Sequence, residues 1–244
     1  STLDDLHLKY SHLNEKDLLK LIAKGHIKET VDTKIPFTDC EACHVAKFRK
    51  GTPTGHSGFK SSRAGELIWF DICGPVSPTS YGGHNYLLIF VDDYSRYLTV
   101  IPIKQKSKVF ARFPTFDKEL FNRSERHVTY LRSDNAGENK GSQLTSYCNQ
   151  HGIIQQFTIP YNSSQNCEER FNLTIMDGAR ANLLSSKLNE KVWDEAAMTT
   201  AYTRNFSPTS ALTNGILPVQ LWFNLTSSPS TTHLRPFGCK AIMR

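Results

Sequence analysis

The chain has 244 residues, of which 39% are hydrophobic and 21% charged, and Lys plus Arg outnumber Asp plus Glu by 29 to 23. This composition excludes a wholly disordered chain, and no apolar run reaches the roughly 18 residues that a membrane helix requires. The net charge of +6 is compatible with a polyanionic partner but does not by itself indicate one. Six cysteines are too sparse for a secreted disulfide scaffold, so a reducing compartment is predicted.

Two pairs of potential metal ligands lie in the first 45 residues. Residues 4–31 are predicted to be helical, with Asn14 as an N-cap, and a C-x2-C pair follows them. The preferred ligands are His7, His12, Cys40 and Cys43, and the competing candidates are His26 and His44. Imidazole and thiolate suit Zn²⁺, and four protein ligands leave no position for water. We therefore predict a structural zinc site that supplies much of the folding energy of a small N-terminal module.

Residues 44–65 have the composition of a linker. They contain no acidic residue and several Gly, Pro, Ser and Thr residues. The basic residues of the segment are Lys47, Arg49, Lys50, Lys60 and Arg63. Positive charges that stand among small, flexible residues suit the neutralisation of phosphates, so this segment is a predicted DNA contact. The alternative is a solvated linker.

The rest of the chain alternates between strands and helices. The predicted strands are Glu66–Ile72, Tyr86–Asp92, Tyr97–Ile103, Val128–Asp134 and Ile153–Pro160. The predicted helices are 106–122, in which Pro114 should cause a kink or a restart, then Gly141–His151, and a helical region from 164 onward that is broken near Pro208 and Pro218. The first three strands form a predicted antiparallel meander. This order predicts an α/β fold with a mixed five-stranded sheet, as in the ribonuclease H-like fold.

Acidic residues follow two of the predicted strands and open a helix. Asp71 ends the run Leu67–Phe70 of the first strand, and Asp134 ends the run Val128–Leu131 of the fourth. These two strands are neighbours in a ribonuclease H-like sheet. Glu168 and Glu169 lie near the start of the helix after the fifth strand. Clustered carboxylates repel one another, and a pair of Mg²⁺ ions, which prefer hard oxygen ligands, would offset that repulsion and support phosphoryl transfer.

The motifs together resemble the integrase region of Copia-type LTR retrotransposons, in the retroviral integrase superfamily. The matching segments are His7…Ser11-His12, Cys40-Glu41-Ala42-Cys43 with Lys47, Phe70-Asp71-Ile72-Cys73-Gly74-Pro75, Phe90-Val91-Asp92-Asp93-Tyr94-Ser95-Arg96, Ser133-Asp134-Asn135-Ala136-Gly137-Glu138-Asn139, Gln165-Asn166…Glu169-Arg170…Asn172, Pro218…Gln220-Leu221-Trp222, and His233-Leu234-Arg235…Phe237-Gly238-Cys239. They cover nearly the whole chain.

The resemblance implies a domain order. It places a zinc-binding pre-integrase module at 1–45, a basic linker at 46–65, a ribonuclease H-like catalytic core at 66–206 and an extension of that core at 207–244. The chain begins at Ser1 rather than Met, which fits a piece of a Gag-Pol polyprotein.

The resemblance also implies an activity. By this resemblance the core is expected to trim the 3′ ends of element DNA and to join them to host DNA. Asp71, Asp134 and Glu169 are then expected to bind the catalytic Mg²⁺ or Mn²⁺. The implied partners are double-stranded element and host DNA and further copies of the chain, with no membrane. The implied location is the nucleus, after assembly in the cytoplasm. Arg170 and Arg180 are further predicted DNA contacts, and Arg180 lies about three helical turns beyond Glu169.

The sequence departs from the family pattern near the third acid. A glycine is missing after Asn166, and one residue fewer than in the family separates Asp134 from Glu169. Leu173 occupies a position that is basic in the family. Two alternatives therefore accompany the integrase interpretation: a decayed or repurposed core that binds zinc and nucleic acid without strand transfer, and a ribonuclease H-like nuclease that only cleaves.

Overall fold

The structure is a computed structural model that describes residues 1–38, 40–47, 61–133, 142–157 and 166–240. These residues divide into two compact units, one drawn from 1–50 and 173–244 and the other from 51–172. The domain boundaries that the sequence indicates near 45, 65 and 206 remain predictions. Within the described residues, no helix combines the length and the apolar character needed to cross a bilayer.

Helices and strands follow the predicted order. The α-helices of the described residues are α1 (Leu3–Lys9), α2 (Glu15–Ala23), α3 (Glu41–Lys47), α4 (Val109–Ser124), α5 (Ser142–His151), α6 (Asn166–Ser186), α7 (Trp193–Asn205) and α8 (Pro218–Trp222). Short 3₁₀ helices span Lys106–Lys108, Glu190–Val192 and Thr213–Gly215. The strands are β1 (Leu67–Cys73), β2 (Tyr86–Asp92), β3 (Leu98–Ile103), β4 (Tyr130–Ser133) and β5 (Ile154–Phe157).

The five strands form one mixed sheet with the order β3-β2-β1-β4-β5. The pairs β1–β2 and β2–β3 are antiparallel, which gives the predicted meander, and the pairs β1–β4 and β4–β5 are parallel. Helices flank the sheet. The predicted α/β class with a five-stranded mixed sheet is thereby confirmed.

Strand β1 occupies the middle of the sheet, and its burial changes along its length. Its first four residues, Leu67–Phe70, are buried, as expected for a strand that is paired on both sides. The last three residues, which begin with Asp71, are half-buried. On the adjoining layer, α4 packs aromatic rings on the sheet, and the rings of Phe90 and Phe116 stack with their centroids 4.5 Å apart. Asp71 therefore lies where β1 leaves the core.

Two buried aspartates close the turn between β2 and β3. Asp92 accepts hydrogen bonds from the backbone N–H and hydroxyl of Ser95 and from the N–H of Gly65. Asp93 accepts bonds from the Trp69 indole and from Ser61. Burial raises the pKa of Asp92, and this effect outweighs the hydrogen bonds from Ser95 and Gly65, which lower the pKa. These acids therefore stabilise the hairpin, whereas Asp71 lies farther along β1.

Helix α4 continues through Pro114. Of the predicted kink or restart, the restart is wrong, because α4 runs from Val109 to Ser124 with Pro114 inside it, and the kink stays a prediction. Proline lacks an N–H and removes one hydrogen bond to the carbonyl four residues earlier. Pro114 stands in the second turn of α4, behind the 3₁₀ turn Lys106–Lys108, and packing of the neighbouring Phe113 and Phe116 holds the helix on the sheet.

Helices α6 and α7 approach closely at a glycine in the first unit. A methyl group at Gly178 would lie 2.3 Å from Cγ2 of Thr200, which is fully buried. Thr200 donates a hydrogen bond to the carbonyl of Ala196 and accepts one from Asn182. The absence of a side chain at position 178 is therefore what lets α7 pack at this distance.

Gly178→Ala is expected to destabilise the protein by about 1–3 kcal/mol, because overpacking forces a buried neighbour to move. Chemical denaturation of the parent and the variant measures the difference. The matched background is Thr200→Ser, which removes the clashing methyl group and keeps the hydroxyl. The cost of Gly178→Ala should be smaller in that background, and an equal cost in both would exclude the clash as its cause.

Candidate metal centres

The two histidines of the first unit are brought together by a turn that ends α1. His7 lies in α1, and His12 follows the helix in a turn where both Ser11 and His12 have positive φ, 49° and 61°. Five residues along a continuous helix would place the two side chains about 140° apart. Because α1 ends at Lys9 and the chain turns left-handed, His12 N–H donates to the carbonyl of His7 at 2.7 Å and the two rings meet.

Capping residues set the boundaries of the helices around this turn. Thr2 and Asp5 form a capping box at the start of α1. Asn14 accepts a hydrogen bond from the N–H of Asp17, so the predicted N-cap is confirmed and begins α2 only two residues after His12. The predicted helical region 4–31 is thus two helices, because the ligand-bearing turn interrupts it. The prediction is wrong for residues 24–31, since α2 ends at Ala23.

Four ligand atoms converge on one point. Cys40 precedes α3 and Cys43 lies in its first turn, and the ligand atoms of His7, His12, Cys40 and Cys43 all lie within 4.8 Å of one another. His7 Nε2 lies 3.0 Å from His12 Nδ1 and 3.3 Å from Cys43 Sγ, and His12 Nδ1 lies 3.4 Å from Cys40 Sγ. Metal bonds of about 2.0–2.3 Å in a tetrahedron give edges of roughly 3.3–3.8 Å. The four residues therefore fit one tetrahedral metal ion.

The two imidazoles present different nitrogens to this point. His7 Nδ1 lies 2.7 Å from the carbonyl oxygen of Leu13, which can only accept, so Nδ1 carries the proton and Nε2 faces the cluster. His12 faces the cluster through Nδ1, while its Nε2 lies 3.1 Å from the hydroxyl of Ser185 on α6. Metal-binding histidines usually have such a partner on the second nitrogen.

The competing ligand His26 does not join this cluster. The ring nitrogens of His26 contact the hydroxyl of Ser228 and, at 3.1 Å, the carbonyl of Gly215. Burial lowers the pKa of His26, which favours the neutral ring. The side chain of His44 lies outside what the structure describes. Among the described residues, the group that can hold a metal ion is the predicted one.

The second candidate centre is built around Asp71 at the end of the buried part of β1. The Asp71 carboxylate is half-buried, and one oxygen accepts a hydrogen bond from the N–H of Ile72 at 2.7 Å. The other oxygen accepts one from the side-chain amide of Asn172 on α6. Two residues on, burial and the charge of Asp71 raise the pKa of the Cys73 thiol. The carboxylate is therefore held in place by β1 and α6 together.

The neighbouring strand β4 ends beside this carboxylate. Leu67, Ile68 and Trp69 pair in parallel with Tyr130, Leu131 and Arg132, and β4 ends at Ser133. Carboxyl ends of adjacent parallel strands lie at one edge of a sheet, which is the geometry that the prediction for Asp134 requires. Asp134 itself lies outside the described residues.

Helix α6 begins before the two glutamates that compete as the third acid. It starts at Asn166, so positions 168 and 169 are helical, although the structure describes neither side chain. They precede Asn172 by four and three residues, which puts them about 40° and 60° to either side of it on the helix. The Asn172–Asp71 contact therefore brings this side of α6 to Asp71 without selecting one of the two.

Asn172 is the residue of this centre to which the sequence analysis assigned no role. Its amide nitrogen binds Asp71, and its buried Oδ1 has no hydrogen-bond partner among the described residues. A buried amide oxygen usually finds a partner, and an oxygen beside a carboxylate is a ligand type that divalent cations accept. The residues that the structure describes here thus fit a bound cation. The signal available in the sequence was that Asn172 is one of the residues that match the family motif.

Comparison with known proteins identifies the family of the domain that contains the sheet. Residues 61–163 match the family model of the integrase core domain. The chain contains an integrase core domain. The match includes Asp71 and Asp134 and ends before Glu169. The resemblance drawn from the sequence motifs is thereby confirmed.

Relatives of this integrase core are parts of longer proteins. The retrovirus-related Pol polyprotein from transposon TNT 1-94 of Nicotiana tabacum is 34% identical over 242 residues, 99% of this chain and 18% of that protein. The one from transposon RE1 of Arabidopsis thaliana is 30% identical over 241 residues, 98% of this chain and 16% of that protein. The chain therefore spans less than a fifth of the length of these curated relatives.

A solved structure shares the fold. A chain of the simian T-cell lymphotropic virus intasome, solved in complex with PP2A regulatory subunit B56 gamma, superposes with a TM-score of 0.56 at 17% identity. The superposition covers 90% of this chain and 74% of that one. At this identity the likeness concerns the fold alone.

The DNA contacts that the sequence predicts fall into three groups. Arg49, Lys50 and Lys60 lie outside the described residues, and Lys47 ends α3 with its side chain outside them. Arg63 donates to the hydroxyl of Thr129 at 2.8 Å and is half-buried, so it also holds the segment before β1. Arg170 is exposed on α6, and Arg180 is exposed and lies 3.3 Å from Asp177. Exposure leaves Arg170 and Arg180 accessible to phosphates.

Proposed function

We propose that the chain is the integrase region of a retrotransposon Pol polyprotein, which trims the 3′ ends of element DNA and joins them to host DNA. The observation that carries the proposal is the Asp71 centre of the integrase core. There a half-buried carboxylate, where the buried part of β1 ends, lies beside the end of β4 and is hydrogen-bonded to Asn172 of α6. Relatives named as retrovirus-related Pol polyproteins support the substrate class.

Three residues would hold the catalytic Mg²⁺ or Mn²⁺: Asp71, Asp134 and Glu169. Bound there, the cations would supply Lewis acidity toward phosphate oxygens and favour the ionised nucleophile, first water and then a DNA 3′-hydroxyl. The protein's own contribution is orientation. The Ile72 N–H and the Asn172 amide fix both oxygens of Asp71, so little reorganisation is needed when the substrate binds.

The direct test is a strand-transfer assay with labelled oligonucleotides of the element ends, a target duplex, and Mg²⁺ or Mn²⁺. Processed and joined products are the expected result. DNA binding without either product would favour the decayed or repurposed core, to which the shortened segment before Glu169 gives specific support. Cleavage without joining would favour a nuclease.

The His/Cys cluster is proposed as a structural zinc site. Four protein ligands fill a tetrahedron, so no position is left for a reacting water, and the expected role is stability. The ligand set of two imidazoles and two thiolates suits Zn²⁺ better than Mg²⁺ or Ca²⁺.

Cys43→Ser is expected to abolish the binding of one zinc equivalent and to lower the thermal midpoint, because the fourth ligand is lost and metal binding contributes to folding. Displacement of a chromophoric chelator measures zinc, and circular dichroism follows unfolding. The matched control is Cys239→Ser, an exposed cysteine outside the cluster, which should bind zinc like the parent. A Cys43→Ser variant that binds zinc as tightly as the parent would show that the ligand assignment is wrong.

The proposed partners are double-stranded DNA and further copies of the chain, and the proposed location is the nucleus. Joining two element ends to a target requires at least two active sites, which favours an oligomer. The chain carries a net charge of +6, and phosphate contacts release counterions, so DNA affinity should fall with rising salt. The basic segment 44–65 with Arg170 and Arg180 is the proposed contact surface.

A further inference from the structure

We propose that Ser185, at the end of α6, is a positioning residue of the zinc site, acting through His12. The inference rests on the proposed zinc site and goes beyond it, because it assigns the outer partner of a ligand to a helix more than 170 residues away in sequence. The observation that supports the inference is the 3.1 Å contact between His12 Nε2 and Ser185 Oγ.

The hydrogen bonds around Ser185 form a chain with a defined direction. Ser185 Oγ donates to the carbonyl oxygen of Asn182 at 3.1 Å, so its single proton is used there. Its lone pairs are then left to accept from His12 Nε2–H, which places the imidazole proton on Nε2. Nδ1 of His12 is consequently the nitrogen with a lone pair, and it is the one that faces His7, Cys40 and Cys43. The bonding outside the cluster therefore selects the tautomer that can bind metal inside it.

A second set of contacts holds the same turn against α6 and α7. Ser11, next to His12, is buried, and its hydroxyl shares a 2.7 Å hydrogen bond with that of Thr203 on α7. The amide of Asn182 on α6 donates to Ser11 Oγ at 3.3 Å and to Thr200 Oγ1 at 3.2 Å. Because Ser11 and His12 both adopt positive φ, which is unfavourable for these residues, external contacts are needed to hold the turn.

These contacts have a consequence for metal affinity. Partners of the second imidazole nitrogen typically change metal affinity by 10–100-fold when they are removed. Ser185 lies on the exposed side of α6, where water can replace part of its role, so the lower end of this range applies. Ser186 offers a matched control, since it lies on the same helix and donates to a carbonyl three residues earlier, that of Leu183.

The experiment uses the full 244-residue chain and compares zinc dissociation constants of Ser185→Ala, Ser185→Thr and Ser186→Ala by chelator competition. Ser185→Ala should bind zinc about tenfold more weakly, Ser185→Thr should restore the affinity, and Ser186→Ala should match the parent. Long-range ¹H–¹⁵N spectra of the histidine rings should show His12 bound through Nδ1 and protonated at Nε2. A general loss of stability would not give this pattern.

Two results would overturn the inference: parental zinc affinity in Ser185→Ala, or coordination of His12 through Nε2. Either would leave the zinc site itself intact. By contrast, undiminished zinc binding in Cys43→Ser would remove the site, and with it the role of Ser185. Melting of the zinc-loaded variants separates the inference from misfolding, because Ser185→Ala and Ser186→Ala should unfold within a few degrees of each other.

Discussion

Asp71→Asn is expected to abolish strand transfer while DNA binding persists. The substitution keeps the size of the side chain and one oxygen for the Ile72 N–H, but it removes a negative charge from the proposed cation site. Metal-based charge stabilisation is worth several kcal/mol in the transition state, and each 1.36 kcal/mol is a factor of ten in rate. The expected loss is therefore on the order of 10³-fold or more.

The measurement is the initial rate of joining with labelled ends and Mn²⁺, paired with fluorescence anisotropy for DNA affinity. Glu119→Gln, which removes a carboxylate from the exposed face of α4, is the matched control and should keep the parental rate. A variant at Asp71 that joins DNA within tenfold of the parent would refute the role of this carboxylate. Equal loss of activity in the control would instead point to a general effect of charge.

The sheet could be predicted because its signals are local. Short runs of β-branched and aromatic residues, separated by Gly, Pro and Asp-rich turns, predict β1, β2 and β3 within one or two residues of their observed bounds. The pairing of β1 with β4 was predicted from the ribonuclease H-like order of elements, and α4 belongs to the crossover connection that parallel neighbours need.

The contacts that complete the two centres could not be predicted, because they join residues distant in sequence. Asn172 meets Asp71 across 101 residues, and Ser185 meets His12 across 173. Each depends on which side of α6 faces its neighbours. In the first unit, the close approach of Gly178 to Thr200 fixes that side against α7. Residue type alone gives no signal, since serine and asparagine on a helix are most often solvated.

The zinc ligands were predictable as a set but not in their geometry. The spacing of His7, His12, Cys40 and Cys43 indicates a site, and the helical pattern over 4–31 indicates one continuous segment. A five-residue separation conflicts with that helix, because it turns the rings away from each other. The left-handed turn at Ser11 and His12 resolves the conflict, and it is held by residues from α6 and α7.

Of the two glutamates near the start of α6, Glu169 is the one whose loss is expected to abolish strand transfer. The helix phase supports this choice. Position 168 lies within about 20° of Ile175, which is fully buried, whereas position 169 lies about 120° away from it. A carboxylate aligned with the buried side is unfavourable unless it is paired, so position 168 is the poorer place for a cation ligand that must meet DNA.

The contact of Asn172 with Asp71 sharpens this test. Position 169 is one turn before Asn172 and about 60° from it, on the side away from Ile175. Because α6 begins at Asn166, the position after Asn166 at which the family has a glycine falls within the helix. The register of α6 relative to Asp71 then decides which glutamate reaches the cations.

Glu169→Gln should reduce Mn²⁺-dependent joining on the order of 10³-fold, as for Asp71→Asn, since it removes one of the same ligands. Glu168→Gln is the matched control, because it makes the same chemical change one residue away on the same helix, and it should stay within a fewfold of the parent. Both variants should match the parent in DNA affinity, measured by fluorescence anisotropy, and in stability, measured by thermal unfolding. The reverse pattern, with Glu169→Gln active and Glu168→Gln inactive, would mean that α6 is rotated by one position and that Glu168 is the third acid. An inactive parent chain would instead support the decayed core, in which neither glutamate reaches the cations held by Asp71.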